Sequence, residues 1–337
     1  MMTEQGFCGA VGNTPLIEIP TLSKLTGCRI LGKAEFMNPG GSVKDRAALG
    51  IVLNAIKTGQ LKPGGTLVEG TAGNTGIGLT HVGNALGFKT IIVIPNTQSE
   101  EKLQYLRAVG ADVRPVPPAP YSDPQNFNHI AKRLAEELPH AYWANQFDNT
   151  ANREFHMKTT GPEIWRQTGG QIDGFVAAVG SGGTLAGVSS YLKTQSSKVC
   201  TVCVDPYGAA MYSWFKNKNL NDVTGGSITE GIGQVRVTKN IENAPVDDAY
   251  RIDDKPILEM VHYLAHREGL FLGSSAALNV LGAVKLARQL GPGKTVVTIL
   301  CDGAGRYLSR LFNESWLREK DLTPKSTDLE FLDLIDS

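Results

Sequence analysis

From residue 45 onward the chain alternates short apolar runs with longer stretches of helical period. Residues 66–69, 90–95, 112–116, 174–179, 199–204 and 295–300 are rich in Val and Ile and are bounded by Gly, Pro or Asp. Near-continuous apolar strands of this kind suit a parallel sheet covered on both faces. Between them, residues 74–86, 99–109, 126–138, 151–167, 184–193, 255–268 and 275–290 space their apolar positions as helices do. The 99–109 segment carries its own punctuation: Ser99 as N-cap, Glu100 and Glu101 in the first turn, and Gly110 as the stop. Strands alternating with helices predict an α/β protein. No internal repeat or low-complexity linker interrupts the pattern, and the polar, acidic tail after about Glu319 is expected to be at most partly ordered.

At 337 residues the chain has room for two domains that share an interface. Lys+Arg and Asp+Glu are balanced at 33 each, so nothing in the charge points to nucleic acid or an anionic membrane, and the expected partners are small molecules and other protein chains. The N-terminus has neither a basic segment nor an apolar core of the secretory type, and no apolar run reaches a membrane-spanning length, so a cytoplasmic protein is expected. Five cysteines, Cys8, Cys28, Cys200, Cys203 and Cys301, form an odd set without a pairing pattern, which predicts free thiols. Cys200 and Cys203 have CxxC spacing, but they fall in a strand-like run where residues three apart face opposite ways, which favours a structural role. The six histidines form no metal-ligand cluster, and His156, inside a helical stretch, reads as structural.

Chemistry concentrates in one lysine and three glycine-rich turns. Lys44 lies in Asn38-Pro39-Gly40-Gly41-Ser42-Val43-Lys44-Asp45-Arg46, a run of small residues between two predicted elements. An amine desolvated there can lose its proton and attack a carbonyl carbon; the competing reading is an ordinary solvated lysine. Two turns follow predicted strands and open helices: Glu69-Gly70-Thr71-Ala72-Gly73-Asn74-Thr75-Gly76 and Gly180-Ser181-Gly182-Gly183-Thr184. Such turns bring backbone N–H groups close to an anion, and Ser181 and Thr184 add hydroxyl donors, so the second is the better phosphate cradle. It opens like a dinucleotide fingerprint, but Leu185 stands where the third glycine belongs, and no GxxxxGK[ST] run exists. The third turn, Cys301-Asp302-Gly303-Ala304-Gly305, follows the last strand. Ligands in open α/β sheets bind beyond the carboxyl ends of the strands, so all three turns are expected to line one crevice. A phosphate cradle facing a Schiff-base lysine suggests pyridoxal phosphate.

At these residues the chain resembles the fold-type II pyridoxal-phosphate enzymes, and within them the cysteine synthase (O-acetylserine sulfhydrylase) and cystathionine β-synthase family. The resemblance runs through Gly12-Asn13-Thr14-Pro15-Leu16, Ser42-Val43-Lys44-Asp45-Arg46, the 69–76 turn, Lys158-Thr159-Thr160-Gly161-Pro162-Glu163-Ile164-Trp165, the Gly180 turn, Glu230-Gly231-Ile232-Gly233, Gly273-Ser274-Ser275 and Arg306-Tyr307-Leu308-Ser309. It implies a tryptophan synthase β-like fold of two three-layer α/β domains with the cofactor in the crevice between them. The larger, cofactor-binding domain would be residues 1–44 plus 156–320, the smaller, mobile substrate domain 45–155, and 321–337 a polar tail. It also implies that Lys44 is catalytic and carries pyridoxal 5'-phosphate, that Asn74 meets the ring hydroxyl, and that Gly180, Ser181, Gly182, Gly183 and Thr184 hold the phosphate. Thr71, Ala72, Gly73, Thr75 and Gln146 would surround the substrate carboxylate, with Gly231 near the substrate.

Two departures bear on the chemistry. Sulfhydrylases usually carry a serine where this chain has Ala72, and the serine or threonine common at the pyridine nitrogen is replaced by Cys301 or Asp302. The stretches 69–74, 143–152 and 299–302 are similar to a subgroup containing fungal-type second cysteine synthases and bacterial L-cysteine desulfhydrases. The expected reaction is therefore β-replacement, O-acetylserine plus sulfide giving L-cysteine. The alternatives are β-elimination of cysteine to pyruvate, ammonia and sulfide, thiol addition of the cystathionine β-synthase type, and a non-catalytic binding module. The resemblance implies a homodimer and leaves open a serine acetyltransferase partner.

Overall fold

The computed structural model describes residues 5–71, 73–325 and 328–335, and they form two sheets with helices packed against them. Among the described residues there are ten strands: β1 Leu16–Glu18, β2 Arg29–Ala34, β3 Thr66–Gly70, β4 Lys89–Pro95, β5 Asp112–Val116, β6 Ala141–Trp143, β7 Gly174–Ala178, β8 Cys200–Pro206, β9 Asp248–Ile252 and β10 Thr295–Leu300. Six of them order as β1-β2-β10-β7-β8-β9, all parallel except β1, and four as β5-β4-β3-β6, all parallel. Each apolar run predicted as a strand lies inside a sheet, as α/β alternation requires.

Alternate residues of the larger sheet feed two cores. Ile30, Val176, Val202, Val204 and Val296 pack on helices Asp254–Arg267 and Ser274–Leu290, while Leu31, Phe175, Ala177, Cys203 and Val297 pack on Thr160–Gln167 and Gly183–Gln195. In the smaller sheet, Leu67, Ile92 and Ile94 face helices Lys44–Lys57, Asn74–Leu86 and Glu100–Ala108, and Val68, Ile91 and Val93 face Phe127–Glu137. Burial on both faces is why these strands lack polar alternation. Cys203 sits in the core and Cys200 at the strand's start, both free thiols, so the CxxC spacing is structural.

Three details depart from the pattern reading. Lys44 opens helix Lys44–Lys57, an element absent from the helical stretches predicted above, with the glycine run as its lead-in. The 151–167 stretch is two helices, Ala151–Lys158 and Thr160–Gln167, broken at Thr159. Pro162 has no N–H to offer the Lys158 carbonyl, so the helix restarts with proline in its first turn. In the tail, Phe331, Leu332 and Ile335 are buried in the larger core, and Lys285 and Arg288 donate to the Ile335 and Leu332 carbonyls.

Beneath Lys44 lies a sealed cluster of four charges. Arg46 donates Nε to Glu35 at 2.7 Å and its two terminal nitrogens to Glu163 at 2.8 and 2.7 Å, while Lys33 reaches Glu163 at 2.7 Å. Thr14 and Asn38 complete the Glu35 carboxylate at 2.7 and 2.8 Å. Burial opposes ionisation of Glu163, yet the bonds and charge of Arg46 and then Lys33 hold its carboxyl down at about 2. A carboxyl depressed in the folded state stabilises it above the free value of ~4.3 and loses that contribution as pH falls. Glu163→Ala, which leaves a surplus buried cation, should cost about 3–5 kcal/mol in urea denaturation at pH 7. The wild type should lose stability between about pH 4.3 and 2, and the variant less of it over that window; a cost below ~1 kcal/mol would show that the cluster is not the anchor.

Candidate functional site

The carboxyl ends of both sheets open onto one cavity of about 230 Å³. Lys44, half-buried, reaches it from the first residue of its helix. The lead-in is stitched to the turn after β10: Val43 N–H donates to the Cys301 carbonyl at 2.9 Å, and Ser42 bridges to Asp302. Gly41 takes a φ of +81°, open to glycine at little cost, which turns the chain into the helix. Asp45 accepts from Gly40 N–H at 2.6 Å, and burial pushes its carboxyl up to about 7.

Across the cavity, β7 ends in the turn Gly180-Ser181-Gly182 and helix Gly183–Gln195 begins without a side-chain cap. The N–H groups of its first turn beyond Gly183 therefore remain for an anion. Gly182 has φ +88°, and a Cβ there would lie 2.7 Å from Ile241. Ser181 Oγ accepts from Asn152 at 2.9 Å and Gly183 N–H at 3.4 Å, which leaves its own hydrogen to donate. Thr184 Oγ1 lies 3.2 Å from His156 Nε2, whose Nδ1 is 2.8 Å from Thr160. Burial, with the Arg46 charge next, drives that imidazole down to about 3, so His156 is a neutral spacer rather than a catalyst. Gly180, Ser181, Gly182 and Thr184 line the cavity, and Gly183 sits behind them.

On the third side, Thr71, Gly73, Asn74 and Thr75 run from β3 into helix Asn74–Leu86, and all four line the cavity with Gln146 and Gly231. Ala72 lies outside the described residues. Thr75 donates to Gln146 Oε1 at 2.6 Å. The Asn74 amide is gripped at both ends, Nδ2 donating to Asp302 at 2.7 Å and Oδ1 accepting from Arg306 at 2.6 Å. The choice left open at the last turn has a geometric answer. Cys301 lines the cavity, accepting from Asn279 at 3.3 Å, whereas Asp302 turns away to Asn74 and to the Tyr307 hydroxyl at 2.5 Å. Burial pushes the Cys301 thiol up to about 11, so it is neutral at physiological pH.

Several wall residues escaped the sequence reading. Lys102, buried in the first turn of helix Glu100–Ala108, pairs with Glu230 and stands 4.5 Å above the Tyr307 ring. Burial lowers its pKa and Glu230 opposes that shift. Glu230 also takes Arg310, and Phe127, Phe147, Gln234, Ser275 and Asn279 complete the wall. Glu230 and Tyr307 lie inside motifs already noted, but Lys102 carries no local signal beyond its place in a helix start.

The donor set suits one kind of group. An uncapped helix start with hydroxyls takes a phosphate, a half-buried amine takes an aldehyde, and a neutral thiol and a fixed carboxamide suit the edge of a heteroaromatic ring. The comparisons agree with that chemistry. Residues 8–302 match the family described as pyridoxal-phosphate dependent enzyme. The chain is 54% identical over 322 residues to cysteine synthase 1 of Neurospora crassa, covering 94% of this chain and 86% of that protein. It is 42% identical to cysteine synthase 2 of Schizosaccharomyces pombe, covering 97% and 89%. The O-acetylserine dependent cystathionine beta-synthase of Helicobacter pylori superposes with a TM-score of 0.83 at 36% identity, covering 92% of this chain and 99% of that one. With nearly its whole length matched, the chain belongs to the pyridoxal-phosphate dependent enzymes of the fold-type II, cysteine synthase family.

Proposed function

We propose that the protein is a cysteine synthase, replacing the acetate of O-acetylserine by sulfide to give L-cysteine. The observation that carries this reading is that one cavity is lined at once by Lys44, by Gly180, Ser181, Gly182 and Thr184 of the cradle, and by Thr71, Gly73, Thr75 and Gln146. Relatives at 54% identity named cysteine synthase support it.

In this reading the helix start with Ser181 and Thr184 would hold the cofactor phosphate, Lys44 would carry the cofactor, Asn74 would meet its ring hydroxyl and Cys301 would lie toward its ring nitrogen. Pyridoxal phosphate supplies an electron sink at the substrate's Cα. Thr71, Thr75 and Gln146 bind the substrate carboxylate, which fixes the Cα–H bond toward Lys44. Once the substrate's own amino group has taken its place on the cofactor, the freed Lys44 amine takes the Cα proton. The Cβ–O bond breaks and acetate leaves with its electron pair; hydrosulfide forms the Cβ–S bond, and the Lys44 ammonium returns a proton to Cα. Cys301, a neutral thiol, leaves the ring nitrogen without a full counter-charge, while Asp302 spends its charge fixing Asn74 and Tyr307. Residues 45–155 would act as the mobile substrate-binding unit and 1–44 with 156–320 as the cofactor unit, in a cytoplasmic homodimer. Among the described residues no helix is long and apolar enough to cross a membrane.

The test compares turnover of O-acetylserine plus sulfide with turnover of cysteine alone, in the wild type and in Ala72→Ser. Cysteine formation should dominate in the wild type; dominant release of pyruvate and sulfide would make the protein a desulfhydrase, and a preference for homocysteine as acceptor would make it a cystathionine synthase. Lys44→Ala should lower turnover by roughly 10²–10⁴-fold or more, the range of a lost acid–base group, with folding intact by circular dichroism.

A further inference from the structure

The Glu69 carboxylate does a job that no backbone group can do at its place in the sheet. β6 pairs with β3 from Thr66 and Ala141 only as far as Val68 and Trp143, and the last ladder bond runs from Ala144 N–H to the Val68 carbonyl at 3.0 Å. The chain then leaves the sheet through Asn145, at φ +48°, with two N–H groups, one half-buried and one buried, that have no strand to pair with. Glu69, itself 1% exposed, meets both: Asn145 N–H donates to Oε2 at 2.7 Å and Gln146 N–H to Oε1 at 3.2 Å. Only a carboxylate offers two acceptor oxygens and no donor.

The same peptide is fixed from its other side. The Gln146 carbonyl accepts from Asn152 at 3.0 Å and from Asn240 at 2.8 Å. The Gln146 side chain is held in turn: its Oε1 accepts the Thr75 hydroxyl, and its NH2, which also bears on the Glu69 carboxylate, is the end with hydrogens to donate to a substrate carboxylate. Glu69 does not line the cavity, so it touches neither substrate nor cofactor.

We propose that Glu69 is a positioning residue for the substrate carboxylate, acting by straddling the Asn145–Gln146 backbone and thereby aiming the Gln146 carboxamide. The inference rests on the reading of Gln146 as a carboxylate-binding residue. Burial pushes the Glu69 carboxyl up to about 8, against the pull of the Gln146 and Asn145 N–H groups and the Gln146 amide; the phenol of Tyr142 on β6 is the titratable group that feels it, and no lysine or arginine bears on it. Above that pH the ionised form makes both bonds.

The experiment is a double-mutant cycle on the cofactor-loaded protein at pH 8.5–9, with Glu69→Gln, Gln146→Ala and the double variant. It reads KM for O-acetylserine, kcat, and the L-serine concentration that half-shifts the visible absorption of the bound cofactor. Glu69→Gln puts an NH2 against one of the two N–H groups and should raise KM and the half-shift concentration about tenfold, the scale of one unsatisfied buried donor, with kcat within about threefold and the visible band intact. On the Gln146→Ala background it should add little. A full, additive effect there, or a lost cofactor band with KM unchanged, would overturn the inference. An unchanged KM in Gln146→Ala would overturn the site reading beneath it. If Glu69→Gln does not fold, Glu69→Asp, which keeps both oxygens one methylene further back, carries the same non-additivity with a smaller rise.

Discussion

Everything the site does depends on the buried meeting of Arg46 with Glu35 and Glu163. Removing two cations and two anions from water is unfavourable for each alone and is offset only when every partner is in place. The cluster is therefore close to all-or-none, and it joins β2, the loop at Thr14, helix Lys44–Lys57 and helix Thr160–Gln167 in one arrangement. Arg46 stands two residues beyond Lys44, so fixing the guanidinium fixes the helical turn from which the amine projects. The same helix that supplies Glu163 supplies Thr160, which holds His156 against Thr184. The amine and the cradle opposite it are thus positioned by connected parts of one polar interior.

The cavity exists because both sheets, the edge strand β1 apart, are parallel and present their carboxyl ends to it. Parallel strands place every strand-to-helix turn at the same edge, where helix N–H groups are unpaired and glycine lets the backbone close in. The 69–76 turn comes from one sheet, the Gly180 and Cys301 turns from the other, and Asn74 bonds directly to Asp302 across the gap. Lys102 with Glu230 and Ser99 with Arg306 add further ties between the same two sides.

What was legible in the sequence follows from which signals are local. The buried parallel strands announce themselves because each is apolar on both faces, and the glycine turns because φ beyond reach of other residues is written in the residue itself. β2 was hidden because Gly32 and Lys33 break its apolar run; a lysine belongs inside a strand only when a carboxylate such as Glu163, far along the chain, comes to meet it. β1 and β6 are three-residue strands, too short for a period to show. Helix Lys44–Lys57 was masked by its glycine lead-in, and the break at Thr159 by reading past Pro162. Lys102 and Glu69 were missed for the reason Lys33 was: their partners, Glu230 and the Asn145–Gln146 backbone, lie far away in sequence. Cys301 and Asp302 could not be told apart locally, since adjacent residues differ only in which way the folded turn points them.

In the proposed function this arrangement selects one lysine to carry the cofactor although two, Lys44 and Lys102, line the cavity. The decisive measurement is borohydride reduction of the cofactor-loaded protein, followed by digestion and mass spectrometry. A pyridoxyl group is expected on the peptide containing Lys44 alone; a group on Lys102 or any other lysine, or no fixed group after loading, would contradict that selection.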